Sequence, residues 1–382
     1  MKKIVHVLEY SEELNYGGSC KYAHLLDKGL NLLGYKTIKI YRPSLKFEPL
    51  NRTPSEAFYL AAKNLIKLLK LIFYSHLRND YASYTWITHH PVLGFLSLFS
   101  KRSNFIYICH GPWALETYDL MKDYYGKNSN IFLILYVKLI LSIKRNIQRI
   151  LIIKSNNIYF LSKYMKSTVI SDLNLDKSDR ILNKIQLISP IVEENTNSIK
   201  TDIPILRVPN SFYICRRLVK RTGVSDFLNK IIECKNFKPY ILTIVGTGPQ
   251  SEEIRRLTKH KSISEFTYYE GFIPTDLHNK NFQKFDYMIL PSLCFEGFGL
   301  VIIEAISYGC IPIVSKYAEG GAEWLNCTCK ELVYDGSIES LMEVVTWVRN
   351  QGRDNIISNL KNEIASMYPK QVALLLKQHL LS

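Results

Sequence analysis

Three observations predict an α/β protein built from two doubly wound parallel sheets. Short apolar runs of strand length recur along the 382 residues, separated by stretches with helical spacing. The two halves of the chain repeat this plan. A polar stretch bounded by prolines, IVEENTNSIKTDIP over 191–204, divides them. The length suits two domains, each burying its own core.

The elements follow in order. Residues 3–8 form the first strand, and a loop with Asn15, Tyr16, Gly17 and Gly18 leaves it. Ala23, Leu26, Leu30 and Leu33 share one face of a helix over 19–33, which Gly34 closes. Further strands are expected at 37–41, 84–88, 105–109 and 157–161. The second half supplies strands at 240–245, 266–269, 287–290 and 311–314, and a last helix over about 370–380. The N-terminal domain is therefore set at 1–195 and the C-terminal domain at 205–365.

Composition narrows the class. Hydrophobic residues make up 47% and charged residues 22%, which marks a globular chain. No stretch reaches the ~20 apolar residues of a membrane span. The closest, 131–143, contains Lys138 and runs into Lys144 and Arg145. The opening MKKIVHVLEYSEEL turns acidic too early for a signal peptide and reads as a strand. Eight cysteines are scattered, and Cys327 and Cys329 have no second pair, so zinc is not expected and a reduced, cytoplasmic setting is. The net charge of +15 is uneven: 1–200 carries +13 and 201–382 carries +2. Nucleic acid, an anionic membrane or an acidic substrate would each account for that excess, and so would solubility alone. No nucleic-acid-reading motif accompanies it.

The segment 291–323, PSLCFEGFGLVIIEAISYGCIPIVSKYAEGGAE, concentrates the chemistry. An apolar strand ends at Pro291 and Ser292, and Gly297 and Gly299 permit a tight turn. A helix begins at Leu300 and is stopped by Gly309. Such a turn aims free backbone N–H groups and a positive helix end at one point, where a phosphate or sugar hydroxyl can bind. Glu304, expected in the helix's first turn, suits a vicinal diol such as ribose, while Glu296 in the loop faces whatever lies beyond the phosphates.

This segment resembles the E-x7-E signature of retaining, nucleotide-sugar-dependent glycosyltransferases of the GT-B fold, family four (glycosyl transferases group 1). ILTIVGTGPQSEEIRRL and YYEGFIPTDLHNKNFQKFDYMILPS follow that family's C-terminal domain in order, and Gly320, Gly321 and Glu323 match the residues trailing its signature. The likeness runs over about 205–345 and loosens toward the N-terminus. It implies two Rossmann-like domains facing each other across a cleft, with 366–382 packing back onto the N-terminal one. It also implies a nucleoside-diphosphate sugar as donor, with no cofactor and no metal.

The resemblance places Glu296 on donor-sugar hydroxyls, Glu304 on ribose and the amides of Phe298, Gly299 and Leu300 on sugar and phosphate. Phe272 and Ile273, after Gly271, would contact the base. Gly17 and Gly18 match the family's glycine loop facing the pyrophosphate; taken alone they are equally a turn. Arg217 matches the arginine that grips the diphosphate, whereas the partner lysine position holds Thr222 and the usual preceding glycine is Arg216. Arg221 or Lys220 either substitutes for that lysine or is a surface charge. His110, at a strand's carboxyl end before Gly111 and Pro112, matches a histidine near the transferred sugar; the alternative is a buried, satisfied ring. His89 and His90 are weaker acceptor-side candidates. In the front-face mechanism usually described for the family, the leaving diphosphate helps deprotonate the acceptor, so no side-chain nucleophile is required and catalysis rests on Glu296, His110 and Arg217.

Residues 58–78 form a helix with Lys63, Lys67 and Lys70 on one face and Leu65, Leu68, Leu69 and Phe73 on another. That pattern fits a helix lying on anionic lipid, or a solvated face. With the resemblance it gives the leading reading: transfer onto a saccharide acceptor, lipid-linked, at the inner face of a bacterial cytoplasmic membrane in surface polysaccharide or lipopolysaccharide synthesis. The alternative reading is a GT-B scaffold without catalysis that serves as a binding or partner subunit.

Overall fold

The computed structural model describes residues 3–8, 17–41, 54–77, 83–121, 131–175, 179–194, 206–234 and 237–380. Asn15, Tyr16 and most of the expected junction over 191–204 lie outside them. The chain divides into two units, one of 1–191 with 367–382 and one of 192–366.

The first unit runs β1 (Lys3–Leu8), α1 (Gly17–Leu32), β2 (Lys36–Tyr41), α2 (Pro54–Leu77), β3 (Thr85–Thr88), α3 (Pro91–Ser97) and β4 (Asn104–Cys109). It continues with α4 (Trp113–Met121), α5 (Ile131–Lys154), β5 (Asn157–Phe160), α6 (Lys163–Asp172), α7 (Asp179–Leu182) and β6 (Ile185–Leu187). The sheet order is β2-β1-β3-β4-β5-β6, parallel throughout. β1, β3 and β4 are buried on both faces, which is why they read as largely apolar runs, whereas the edge strand β2 is mostly half-buried. Trp86, Phe105, Tyr107 and Phe160 fill the core.

The second unit runs β7 (Val208–Cys215), α8 (Val224–Glu233), β8 (Ile241–Val245), α9 (Ser251–Leu257), β9 (Thr267–Gly271), α10 (Thr275–Lys284) and β10 (Phe285–Leu290). Then follow α11 (Leu300–Ser307), β11 (Ile311–Ser315), α12 (Glu319–Thr328), β12 (Val333–Tyr334), α13 (Ile338–Gln351) and α14 (Arg353–Ile364). Its order, β12-β11-β10-β7-β8-β9, is that of a dinucleotide-binding sheet. In each sheet the order reverses at one point, between β1 and β3 and between β7 and β10. Open α/β sheets bind ligands outside the carboxyl ends of the strands at such a point.

α15 (Pro369–Leu380) belongs to the first unit, where it packs on α1 through Val372, Ala373 and Leu376. Gly29 makes this possible, because a Cβ there would collide with the Pro369 carbonyl. Three strands went unread in the sequence. β7 starts on polar residues around Pro209, while β6 and β12 are edge strands of three and two residues. Helix starts also moved: α1 takes in Gly17 and Gly18, expected in a loop, and α2 begins at Pro54. Among the described residues no helix is long and apolar enough to cross a membrane.

Gly29→Ala is expected to lower the stability of the first unit by about 1–3 kcal/mol, the usual cost of overpacking. Urea denaturation followed through the tryptophans checks it; an unchanged midpoint would show that α15 yields freely.

Candidate active site

At the switch point of the second unit, β7 ends in Cys215 and delivers Arg216 and Arg217, while β10 ends in Leu290 and delivers the loop 291–299. This loop is held by backbone packed too closely for side chains. A Cβ on Gly320 would strike the Gly297 carbonyl, one on Gly321 would strike Ile302, and one on Gly223 would strike the Pro291 carbonyl. The Gly320 amide also donates to the Glu296 carbonyl at 3.0 Å. Phe295, just ahead of Glu296, sits at φ 54, a left-handed conformation that costs a bulky residue energy.

Glu296 is buried and paired. Its Oε2 accepts from Arg216 Nη2 and from Ser292 Oγ at 3.1 Å, and the two side chains of the ion pair are each 11% exposed. The residue standing where the family usually has glycine is therefore the cation on the first glutamate. Arg217 is exposed. Thr222 is buried, and its hydroxyl donates to the Arg217 carbonyl at 2.9 Å and the Val219 carbonyl at 2.6 Å. Arg221 donates from Nη1 to the Phe295 carbonyl at 3.2 Å, so it braces the strained turn. Lys220 is exposed.

α11 begins at Leu300 with Gly299 as its cap, at φ 79. Among the described residues the amides of Phe298, Gly299 and Leu300 donate to no backbone carbonyl. Glu304 is the fifth residue of this helix, so it lies in the second turn and not the first as expected. Its Oε2 is 3.7 Å from His278 Nε2. Burial alone would lower His278, but contacts with Cys215 and Glu304 outweigh it and raise the ring to about 9. His278 also meets the Tyr213 hydroxyl at 2.8 Å. This partner was not legible in the sequence, because nothing local in TDLHNKNF separates His278 from a surface residue. Phe272 is 71% exposed after β9, with Ile273 half-buried beside it.

In the first unit the residues at the switch point are histidines. His6 lies within β1, His89 follows β3 and His110 follows β4. His6 Nε2 and His89 Nε2 are 2.8 Å apart, and His89 Nδ1 and His110 Nε2 are 2.9 Å apart. His6 Nδ1 reaches Asp27 Oδ1 on α1 at 3.3 Å, and Lys39 Nζ holds Asp27 Oδ2 at 2.7 Å. His90 takes a different part: it caps α3, accepting from the Leu93 amide at 3.4 Å. Buried Gln148 fixes the loop carrying His110, donating to the Gly111 carbonyl at 2.8 Å and accepting from the Trp113 amide at 3.1 Å. Gly17 and Gly18 open α1, with Gly17 at φ 79 and open space beside it. Asp27 and His6 were not legible as a pair in the sequence, since a polar residue on the apolar face of a helix or inside an apolar strand gives no local hint of its partner.

Burial sets the charge of these rings. It lowers His6 against the opposing bond to Asp27, lowers His89 well below its usual value with help from its two neighbouring rings, and brings His110 to about 4. Burial would raise Asp27, but bonds from His6, Lys39 and Thr37 hold it well below the usual carboxylate range. Among the described residues no group of three or more His, Cys, Asp or Glu is placed to hold a metal ion.

Comparison with known proteins bears on this geometry. The family model "Glycosyl transferases group 1" matches residues 198–363. That match covers nearly all of the C-terminal unit, 192–366. A poly(glycerol-phosphate) alpha-glucosyltransferase of Bacillus subtilis is 26% identical over 166 residues, 42% of this chain and 23% of that protein. A GDP-mannose-dependent alpha-(1-6)-phosphatidylinositol monomannoside mannosyltransferase of Mycobacterium tuberculosis is 26% identical over 34% of this chain and 35% of that protein. The chain thus spans about a quarter to a third of the curated relatives it matches.

Solved structures match both units. Lipopolysaccharide outer core galactosyltransferase WaaB superposes with a TM-score of 0.61 at 14% identity over 98% of this chain and 99% of that one. Sucrose-phosphate synthase from Thermosynechococcus elongatus gives 0.68 at 14% identity over 99% and 98%. Anabaena HepE in complex with UDP-glucose gives 0.63 at 14% identity over 99% and 100%. The fold is GT-B, with two Rossmann-like units.

The buried rings make stability fall with acid. Below about pH 6.5 the unfolded chain takes up protons that neutral native His6, His89 and His110 do not, so unfolding free energy should drop by up to about 1.4 kcal/mol per pH unit per ring. The loss continues toward about 4, the value of His110. His278 runs the other way: its contribution is complete below about pH 6.5 and is lost as pH rises through about 9. Urea unfolding at several pH values tests both signs, and His278→Gln should flatten the alkaline limb alone.

Proposed function

We propose that the chain is a retaining glycosyltransferase that moves a sugar from a nucleoside-diphosphate sugar to a saccharide acceptor without a metal. The observation that carries this reading is the switch point of the second unit. Free amides of Phe298, Gly299 and Leu300, an exposed Arg217 and a buried Glu296 converge there on a family-matched loop. In this reading Arg217 neutralises the leaving diphosphate, and the amides hold sugar and phosphate. Glu296 binds sugar hydroxyls with its orientation fixed by Arg216 and Ser292. Glu304 takes ribose, and Phe272 and Ile273 take the base. Gly17 and Gly18 approach the pyrophosphate, and His110 bonds a sugar hydroxyl. Charge stabilisation and positioning then carry the catalysis. The HepE complex with UDP-glucose supports the donor class, and WaaB supports a place in surface saccharide assembly.

Arg217→Ala should lower kcat by on the order of 10²–10³-fold, as loss of one oxyanion-type donor does. Glu296→Gln should depress transfer while leaving nucleotide binding in place. Transfer from UDP- or GDP-sugars, with thermal shift for binding, reads both; unchanged turnover in either variant would count against the assignment. A second reading, a sugar-nucleotide-binding subunit without transfer, draws on Thr222, whose hydroxyl is spent on backbone carbonyls where the family has a lysine. Donor binding with no turnover on any acceptor selects it.

The acceptor in this reading is lipid-linked, met at the cytoplasmic face of the membrane. α2 supports this: Leu65, Ile66, Leu69, Phe73 and Leu77 are exposed, and so are Lys63, Lys67 and Lys70, although Leu68 is buried. α5 adds exposed Phe132, Leu135, Tyr136, Leu139 and Ile143. The protein should float with phosphatidylglycerol vesicles and not with neutral ones. The double variant Lys63→Glu/Lys70→Glu should weaken membrane binding by at least about 30-fold, at about 1 kcal/mol per basic residue lost. Equal flotation on neutral vesicles would overturn it.

A further inference from the structure

The chain Asp27–His6–His89–His110 has only one consistent arrangement of protons. A carboxylate held far below its usual range can only accept, so His6 must donate from Nδ1. A neutral imidazole carries one proton, and burial keeps His6, His89 and His110 neutral. His6 Nε2 is therefore bare and accepts from His89 Nε2–H across 2.8 Å. That leaves His89 Nδ1 bare, to accept from His110 Nε2–H across 2.9 Å. The direction set at Asp27 thus passes through two rings to the third.

We propose that Asp27, His6 and His89 are positioning residues that hold His110 as the Nε2–H tautomer, presenting a bare Nδ1 as a hydrogen-bond acceptor for a substrate hydroxyl. His110 is the outermost ring of the chain, half-buried where His6 and His89 are buried. It stands at the carboxyl end of β4, and its Nδ1 forms no hydrogen bond among the described residues. Other groups around the chain do not reverse the direction. Lys39, Thr37 and Asn31 all donate to Asp27 and reinforce its charge. Tyr22 meets His89 and His110 through its ring, 5.9 and 5.2 Å between centroids, and its hydroxyl is turned to the Ser189 carbonyl at 3.3 Å. His24 acts on His6 and His89 through a like-charge effect.

The same arrangement can carry a proton inward. One proton arriving at His110 Nδ1 lets His110 Nε2–H pass to His89 Nδ1 and His89 Nε2–H pass to His6 Nε2. The rings His110 and His89 end neutral with one proton each. The added positive charge rests on His6, doubly protonated beside the Asp27 carboxylate. No oxidant or second reactant is needed.

The role toward a substrate hydroxyl rests on the glycosyltransferase reading; the tautomers do not. The test is a long-range ¹H–¹⁵N correlation spectrum of ligand-free protein with ¹⁵N-labelled histidine at neutral pH, its rings assigned with single His→Gln variants. Nδ1–H at His6 and Nε2–H at His89 and His110 are expected. The opposite tautomer at any of the three, or an imidazolium, overturns the proposal. Asp27→Asn, whose amide can donate as well as accept, should release an Nδ1–H population at His110. If that variant folds and His110 is unchanged, Asp27 is not the determinant; if it fails to fold, the wild-type spectrum still decides the tautomers. In transfer assays Asp27→Asn should lower kcat on the order of 10²-fold, at the low end for a misplaced acid–base group, with donor KM retained. Expected tautomers in a protein that transfers no sugar would sink the functional reading and leave the relay standing.

Discussion

A parallel sheet whose strand order reverses leaves one place where two neighbouring loops diverge, one to each face of the sheet, and a crevice opens between them. Each unit of this chain has one such place, and the candidate residues depend on it. In the first unit β1 and β3 flank it, and they bring His6 and His89 within 2.8 Å although 83 residues separate them. In the second unit β7 and β10 flank it, and Arg216 meets Glu296 across 80 residues.

The two crevices are furnished differently for physical reasons. Arg216 and Glu296 form an ion pair with little solvent, a kind of contact whose desolvation cost commonly cancels its Coulombic gain. Stability alone therefore gives little reason to keep it, and the strained Phe295 beside it adds a further cost. Both are tolerated because the surrounding backbone is locked by Gly223, Gly320 and Gly321, which admit carbonyls where any Cβ would collide. A carboxylate pinned on one side by a cation keeps its remaining lone pairs in fixed directions, which is what recognition of hydroxyls needs.

Much of the fold was legible because strands buried on both faces read as apolar runs and glycines punctuate the helices between them. β7 was not, although it lies at the centre of its sheet. Its first residues after Val208 are Pro209, Asn210 and Ser211, and the polar pair bonds Asp286, Arg349 and backbone carbonyls rather than core side chains. In the site, Glu296 and Glu304 were legible from their spacing around a glycine turn. Their partners were not, since Arg216, Ser292 and His278 arrive from other strands and loops. α11 begins at Leu300 as expected, and counting from there puts Glu304, its fifth residue, in the second turn. Asp27 sits on the buried face of α1 among apolar residues, a position that periodicity assigns to the core without saying that it is charged.

Burial keeps the imidazoles neutral against the pull of that charge, and what Asp27 supplies is direction. A lysine close to an unpaired histidine would favour a bare ring through repulsion but leave its tautomer free. Asp27 absorbs Lys39 on one oxygen and orders His6 on the other, so a single carboxylate both cancels the nearby cation and imposes a direction. The first unit thus offers a neutral acceptor with a defined lone pair. The second offers fixed cations and amides. Hydroxyls are best met by the former and phosphates by the latter, and this difference in chemistry follows from which side chains each reversal of strand order brings together.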